Sequence, residues 1–156
     1  LLHCNILQLH YKIINHDKEG RAMDLVKKYF AKDRFAKVNG IEITDVSPGY
    51  AAARMKLTED HHNSFGVTHG GALFTLADMA FAAAANTHDV VSLSINVTMS
   101  YIKATSTGTL TATAREISSS RKLGIYRVDV QDEEEDIVAI FEGMVYRKKE
   151  RLEDYI

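Results

Sequence analysis

Between Gly70 and Asn86 the chain carries one charge, Asp78, in a run otherwise made of Ala, Leu, Phe, Met, Gly, Thr and a closing Asn. The high helix propensity of Ala makes this segment a helix of about four to five turns. Leu73, Leu76, Ala77, Ala80, Phe81 and Ala84 fall on one stripe at the 3.6-residue period. The back side, with Thr75, Met79, Ala82 and Asn86, is hardly more polar. A helix that is apolar or small nearly all round must be covered on more than one side. One curled sheet can cover part of it, and the remainder predicts a second copy of the chain.

The remaining sequence supplies such a sheet. Met23 to about Ala36 reads as one amphipathic surface helix, with Leu25, Val26, Tyr29 and Phe30 against Asp24, Lys27, Lys28 and Lys32. Ile41 and Ile43 alternate with Glu42 and Thr44; Pro48-Gly49 marks a turn, and Tyr50–Leu57 alternates again, which predicts a hairpin. Thr58–Thr68 is a polar loop. After the long helix come four strand-like stretches, Val91–Ile102, Gly108–Ile117, Leu123–Val130 and Ile137–Tyr146. In the first of these, Leu93, Ile95, Val97, Met99 and Tyr101 are expected on one face. The acidic run Asp132–Asp136 reads as a solvated hairpin tip, and Arg147–Ile156 as a charged tail. One apolar helix beside an antiparallel sheet is an α+β layout.

Composition excludes several classes. A chain of 156 residues is a single-domain length. With 19 Lys+Arg against 21 Asp+Glu the formal charge is −2, without the basic excess of a nucleic-acid binder. No apolar run reaches the roughly 18 residues of a membrane span. Cys4 is alone, which excludes an internal disulfide and a Cys-rich zinc module and accords with a reducing, cytoplasmic setting. Residues 1–22 read as an N-terminal extension ahead of the domain at 23–156. Its origin stays open between a non-native leader and a native segment that packs on the body or on a partner. His3, His10 and His16 lie in it at no known ligand spacing, so no metal site is expected.

Asp78 needs an explanation, because an ionised carboxylate in apolar surroundings costs several kcal/mol unless paired or hydrogen-bonded. One reading is an Asp that caps a neighbouring element or pairs with an Arg. The other is a carboxylate held at a cleft for nucleophilic or general-base work. Gly70-Gly71, at the expected helix start, favours the second. Unpaired amides and the positive end of the helix dipole lie there, open to a carbonyl oxygen because glycine has no Cβ. Gly70 and Asp78 are eight residues apart, about 12 Å along one helix. One carbonyl cannot reach both in the same subunit. Antiparallel helices in a two-fold dimer would bring Gly70 of one protomer towards Asp78 of its partner, giving two composite sites.

The run His69-Gly70-Gly71-x-Leu73-Phe74-x-Leu76-Ala77-Asp78-x-Ala80-Phe81-Ala82-x-Ala84-x-Asn86 closely resembles the hotdog-fold acyl-CoA thioesterases of the phenylacetic-acid-degradation (PaaI-like) family. Tyr101–Ala104 followed by Gly108–Ala112, then Arg121–Tyr126 and Val138–Gly143, resemble its later strands. The resemblance implies a sheet wrapped around one central helix, and hydrolysis of an aryl- or medium-chain acyl-CoA to free acid and CoA. It needs no metal and no cofactor beyond the CoA of the substrate. Asp78 would be nucleophile or general base, the Gly70 amide, with Gly71, would polarise the carbonyl, and Asn63 would orient water or thioester. His69 would be a structural hydrogen-bonder beside the substrate. Lys103, Arg121 and Lys122, at strand ends, could meet the CoA phosphates. Met79 stands where the family often has a hydroxyl residue. The implied assembly is a homodimer, with a homotetramer as the family expectation. Two other classes stay in view: a non-catalytic acyl-CoA sensor on the same fold, and a dehydratase, for which no Asp/His pair of suitable spacing is present on the helix.

Overall fold

The computed structural model describes residues 20–156, which open on two helices where the sequence predicts one. Helix α1 spans 20–30 and α2 spans Arg34–Val38. The chain breaks at Asp33, whose carboxylate accepts from the Ala36 amide at 3.0 Å and caps α2. An Asp side chain that satisfies a backbone donor locally competes with helix continuation, so periodicity alone runs through a break that capping creates. Most of the extension expected at 1–22, with its three His and Cys4, lies outside the described residues.

Strands β1 (Ile41–Ser47) and β2 (Tyr50–Lys56) form the predicted hairpin, with Gly49 at φ 67° in its turn. The long helix α3 runs Gly70–Ala85. Then come β3 (Ser92–Tyr101), β4 (Thr109–Ser119), β5 (Leu123–Gln131) and β6 (Ile137–Arg147). The six strands form one antiparallel sheet in the order β1-β2-β4-β5-β6-β3, curled around α3. This is the hotdog arrangement that the resemblance implies. No helix among the described residues is long and apolar enough to cross a membrane.

All six residues of the predicted stripe on α3 are buried. They meet the inner side chains of the sheet, among them Ala53 and Met55 of β2, Leu110 and Ala112 of β4, Tyr126 and Val128 of β5 and Phe141 of β6. Phe81 packs edge-on against Tyr126 and tilted against Phe141, at centroid distances of 5.5 and 5.3 Å. Its ring lies flat on Gly143 of β6, where a Cβ would come within 2.6 Å of Cζ. Phe81 is fully buried and packed between Tyr126 and Phe141, so it yields only by disturbing both rings. Gly143→Ala is therefore expected to destabilise the fold by about 1–3 kcal/mol, read as a lowered urea midpoint at unchanged m-value.

The far end of α3 is stitched to β3. Asn86 donates from Nδ2 to the Ala82 carbonyl at 2.9 Å and accepts at Oδ1 from the Ser92 amide at 3.0 Å. Thr87 Oγ1 donates to the Ala84 carbonyl and accepts from the Gly49 amide, both at 2.8 Å. Asn86 thus serves the helix end, although it lies on the same side as Asp78.

Strand β3 departs from the predicted alternation. The register shifts between Ser94 and Asn96, leaving Ile95 as an extra residue. A bulge moves every later side chain to the other face. Leu93 opposes Tyr146 on the outer face, whereas Val97 and Met99 oppose Gly143 and Phe141 on the helix face. The single face expected for Leu93, Ile95, Val97, Met99 and Tyr101 is therefore split at Ile95. Within the described residues β3 is an edge strand, paired only to β6.

Candidate active site

The first four amides of an α-helix have no partner within the helix. In α3 three of the four are satisfied by one residue, His69. Its Nδ1 accepts from Gly71 at 2.8 Å, and its carbonyl accepts from Ala72 at 2.9 Å and from Leu73 at 3.3 Å. His69 is thus the N-cap, and it must hold Nδ1 unprotonated to act as one. The Gly70 amide has no partner among the described residues. The Gly71 amide, expected beside Gly70 as a donor to a carbonyl, donates to His69 here. Gly70 alone is left to donate. Tyr101 Oη donates to the Gly70 carbonyl at 3.2 Å, and its ring lies 3.1 Å from where a Gly70 Cβ would stand.

The loop before α3 is pinned at several points. His61, buried, accepts at Nδ1 from the Thr58 amide at 3.0 Å, and its Nε2 meets the Asn39 carbonyl at 3.2 Å. His62 Nε2 bonds the Ser106 carbonyl at 2.8 Å. Thr68 donates both its amide and its hydroxyl to the Thr105 carbonyl at 2.7 Å. The loop folds back so that the His69 amide reaches the His61 carbonyl at 2.7 Å. Asn63 therefore stands beside the helix start. Its Oδ1 accepts from the Phe65 amide at 2.9 Å, an Asx turn that shapes the loop. Its Nδ2 donors have no partner among the described residues.

Asp78 lies two turns further along α3, half-buried, with no hydrogen bond or ion pair among the described residues. It lines a cavity of about 220 Å³ together with Tyr29 and Phe30 of α1, Phe81 and Asn86, and Leu93 and Ser94 of β3. Burial pushes its carboxyl above the ordinary carboxylate range, and the negative charge of Asp33 pushes the same way. A larger cleft of about 470 Å³ lies between α1 and the tail, but its charges are committed: Arg151 pairs with Asp89, and Arg21 with Glu153. The unpartnered carboxylate, not the volume, distinguishes the smaller cavity. Sequence periodicity treats Tyr29 and Phe30 only as core residues of a helix. The signal for their place beside Asp78 is tertiary and has no trace in local spacing.

The three cations fall apart as a group. Arg121 and Lys122 are exposed in the β4–β5 turn, without an ion pair among the described residues. Lys103 is engaged elsewhere. Its ammonium donates to Asp132 at 2.7 Å and to Asp136 at 2.6 Å, with Glu134 at 3.9 Å. These hydrogen bonds hold the ammonium well above the ordinary lysine range. The acidic run is therefore more than the solvated tip expected from sequence. Three of its five carboxylates, Asp132, Glu134 and Asp136, come close enough to share a metal ion, but Lys103 already supplies a cation there.

One protomer thus offers a lone amide at the start of α3 and a lone carboxylate eight residues on, about 12 Å away along the axis. An amide of this kind can donate to a carbonyl oxygen and a carboxylate of this kind can take a proton from water, but at this separation they cannot serve one carbonyl within one chain.

Residues 65–139 match the family model of the thioesterase superfamily. The chain is 33% identical to the acyl-coenzyme A thioesterase PaaI of Escherichia coli over 119 residues, 76% of this chain and 85% of that one. It is 30% identical to the 1,4-dihydroxy-2-naphthoyl-CoA hydrolase of Listeria monocytogenes over 115 residues, 72% of this chain and 94% of that one. The solved structure of the E. coli PaaI protein from the phenylacetic acid degradation operon superposes with a TM-score of 0.82 at 29% identity, covering 85% of this chain and 97% of that one. The chain belongs to the thioesterase superfamily, among the PaaI-like hotdog-fold acyl-CoA thioesterases.

Proposed function

We propose that this enzyme hydrolyses aryl- or medium-chain acyl-CoA thioesters to the free acid and CoA, without metal or cofactor, at composite sites of a homodimer. The observation that carries this reading is Asp78: a carboxylate without a partner among the described residues, held above its usual range in an apolar cavity. A general base works best with a pKa drawn towards the working pH. As base, Asp78 takes a proton from the water that attacks the thioester carbon; as nucleophile, its carboxylate attacks that carbon itself, expels the thiolate and forms an anhydride that water then hydrolyses. The oxyanion that forms accepts from the Gly70 amide of the other protomer, at the positive end of α3. The thiolate of CoA is a good leaving group, so a carboxylate and an oxyanion donor suffice. Asn63 Nδ2 is free to orient the thioester or the water.

The dimer has its own physical support. Edge strand β3 runs ten residues without Pro, Lys or any charge. Such an edge is open to pairing with another strand. Pairing β3 with its copy would continue the sheet and set two α3 helices antiparallel. A tetramer of such dimers is the further expectation from the family.

The acyl group has its support in the walls of the cavity. Tyr29, Phe30 and Phe81 suit a flat ring or a short apolar chain, and about 220 Å³ limits its length. Exposed Arg121 and Lys122 suit the CoA phosphates. A cytoplasmic site of action accords with a single cysteine and a CoA-borne substrate.

Thiol release from phenylacetyl-, hydroxyphenylacetyl-, hexanoyl- and palmitoyl-CoA tests the reading. The first three are expected to turn over with kcat/KM of at least roughly 10⁴ M⁻¹s⁻¹, and palmitoyl-CoA much more slowly. Tight binding of every acyl-CoA with no thiol released would favour the sensor instead.

A further inference from the structure

Segment 102–108, between β3 and β4, is held from both sides. On one side it holds the site loop: the Thr105 carbonyl takes both donors of Thr68, and the Ser106 carbonyl takes His62 Nε2. Thr68 precedes the N-cap His69 by one residue, and His62 precedes Asn63. On the other side the segment is held by the β5–β6 turn. Lys103 bridges Asp132 and Asp136, and Glu133 Oε1 accepts from the Thr109 amide at 3.1 Å. Asp132 also shapes that turn, since its Oδ1 accepts from the Glu134 and Asp136 amides at 3.1 and 3.0 Å.

We propose that Lys103 is a positioning residue: by neutralising the acidic β5–β6 turn it holds segment 102–108 in place, and through the Thr105 and Ser106 carbonyls it sets the Gly70 amide and Asn63 at the site. The proposal rests on the reading of the Gly70 end of α3 as the oxyanion site. An exposed single ion pair adds little, because water screens it. Lys103 is not in that position. Its partners are carboxylates whose oxygens lie within 4.8 Å of one another. Without the ammonium they repel at short range, and the turn they belong to has reason to open. The ordinary role for a lysine here, a contact to the CoA phosphates, would require the same ammonium to leave two short charge-assisted hydrogen bonds.

The two roles separate experimentally. Lys103→Met, Lys103→Arg, Asp136→Asn and the Lys103→Met/Asp136→Asn double variant are assayed on an acyl-CoA and on the same acyl group as its N-acetylcysteamine thioester, which has no phosphates. Positioning predicts that Lys103→Met lowers kcat about tenfold on both substrates, with KM for the acyl-CoA within about twofold, since small misplacements of catalytic groups cost rate. Lys103→Arg should recover most of that rate, and the double variant should be no slower than Lys103→Met, as coupled neighbours behave. A rise in KM confined to the acyl-CoA, or a wild-type kcat in Lys103→Met, overturns the proposal. Amide exchange at Thr68 is followed in the same proteins. It should quicken about tenfold in Lys103→Met, and unchanged exchange also overturns the proposal. This readout needs no turnover. A wild-type protein that released no thiol would count against the enzymatic reading alone and leave the clamp to be decided by exchange.

Discussion

Asp78→Asn is expected to lower kcat/KM for the best acyl-CoA by about 10²–10⁴-fold while leaving the folded protein at least as stable as before. Asn keeps the size of the side chain and loses both basicity and nucleophilicity. Nothing among the described residues bonds the carboxylate, so the substitution breaks no contact there. The sign of the stability effect follows from linkage. The folded-state pKa of Asp78 is raised above its ordinary value, because burial and Asp33 both disfavour the charged form. Between the ordinary and the raised value the folded state binds more protons than the unfolded state, so stability falls as pH rises through that window. Above the raised value the wild type carries the full cost of an ionised, half-buried carboxylate, and Asn does not. Thermal melts should place Asp78→Asn at or above wild type at pH 7, with the difference shrinking as pH falls from the raised value to the ordinary one. The wild-type rate should decline on the acid side through the raised pKa. A stable Asp78→Asn protein that still turned over at the wild-type rate would remove Asp78 from the chemistry. A protein that unfolded would show that the carboxylate is structural.

Much of the fold is legible because each element answers to one short-range cause. The alternation on either side of Pro48-Gly49 is a hairpin whatever surrounds it. The run Gly70–Ala85 reads as a covered helix, since beyond its first two glycines only Thr75 and Asp78 in it are polar. Three features are not legible, each because a contact outranks a period. Asp33 ends a helix that the apolar spacing of α1 would continue. The bulge at Ile95 answers to the fit of β3 on β6, not to its own composition. Lys103 lies 29 residues from Asp132, and a basic residue in a loop gives no sign of which acid it will find. For the candidate site, helix chemistry alone indicates Gly70 and Asp78. It leaves open which glycine keeps its amide free, because His69 turning back to cap Gly71 is a rotamer choice with no signature in the sequence.

Gly70→Pro and Gly70→Ala together isolate that free amide. Gly70 is the first residue of α3, a position where proline is tolerated because its amide has no partner within the helix. His69 is already extended, at φ −64° and ψ 135°, the conformation that a following proline favours. Both substitutions add a Cβ against the Tyr101 ring, which is exposed and able to swing aside, so alanine controls for bulk. Only proline also removes the N–H. Gly70→Ala is expected to lose a few-fold in rate. Gly70→Pro should lose a further factor of about 10²–10³ in kcat, the usual cost of one oxyanion donor, with KM little changed and the melting temperature close to that of Gly70→Ala. The ratio of kcat between the two variants is the quantity to measure. If it is near one, the developing oxyanion takes its hydrogen bond from elsewhere, with Asn63 Nδ2 as the nearest unspent donor. The start of α3 would then shape the site without stabilising charge in it.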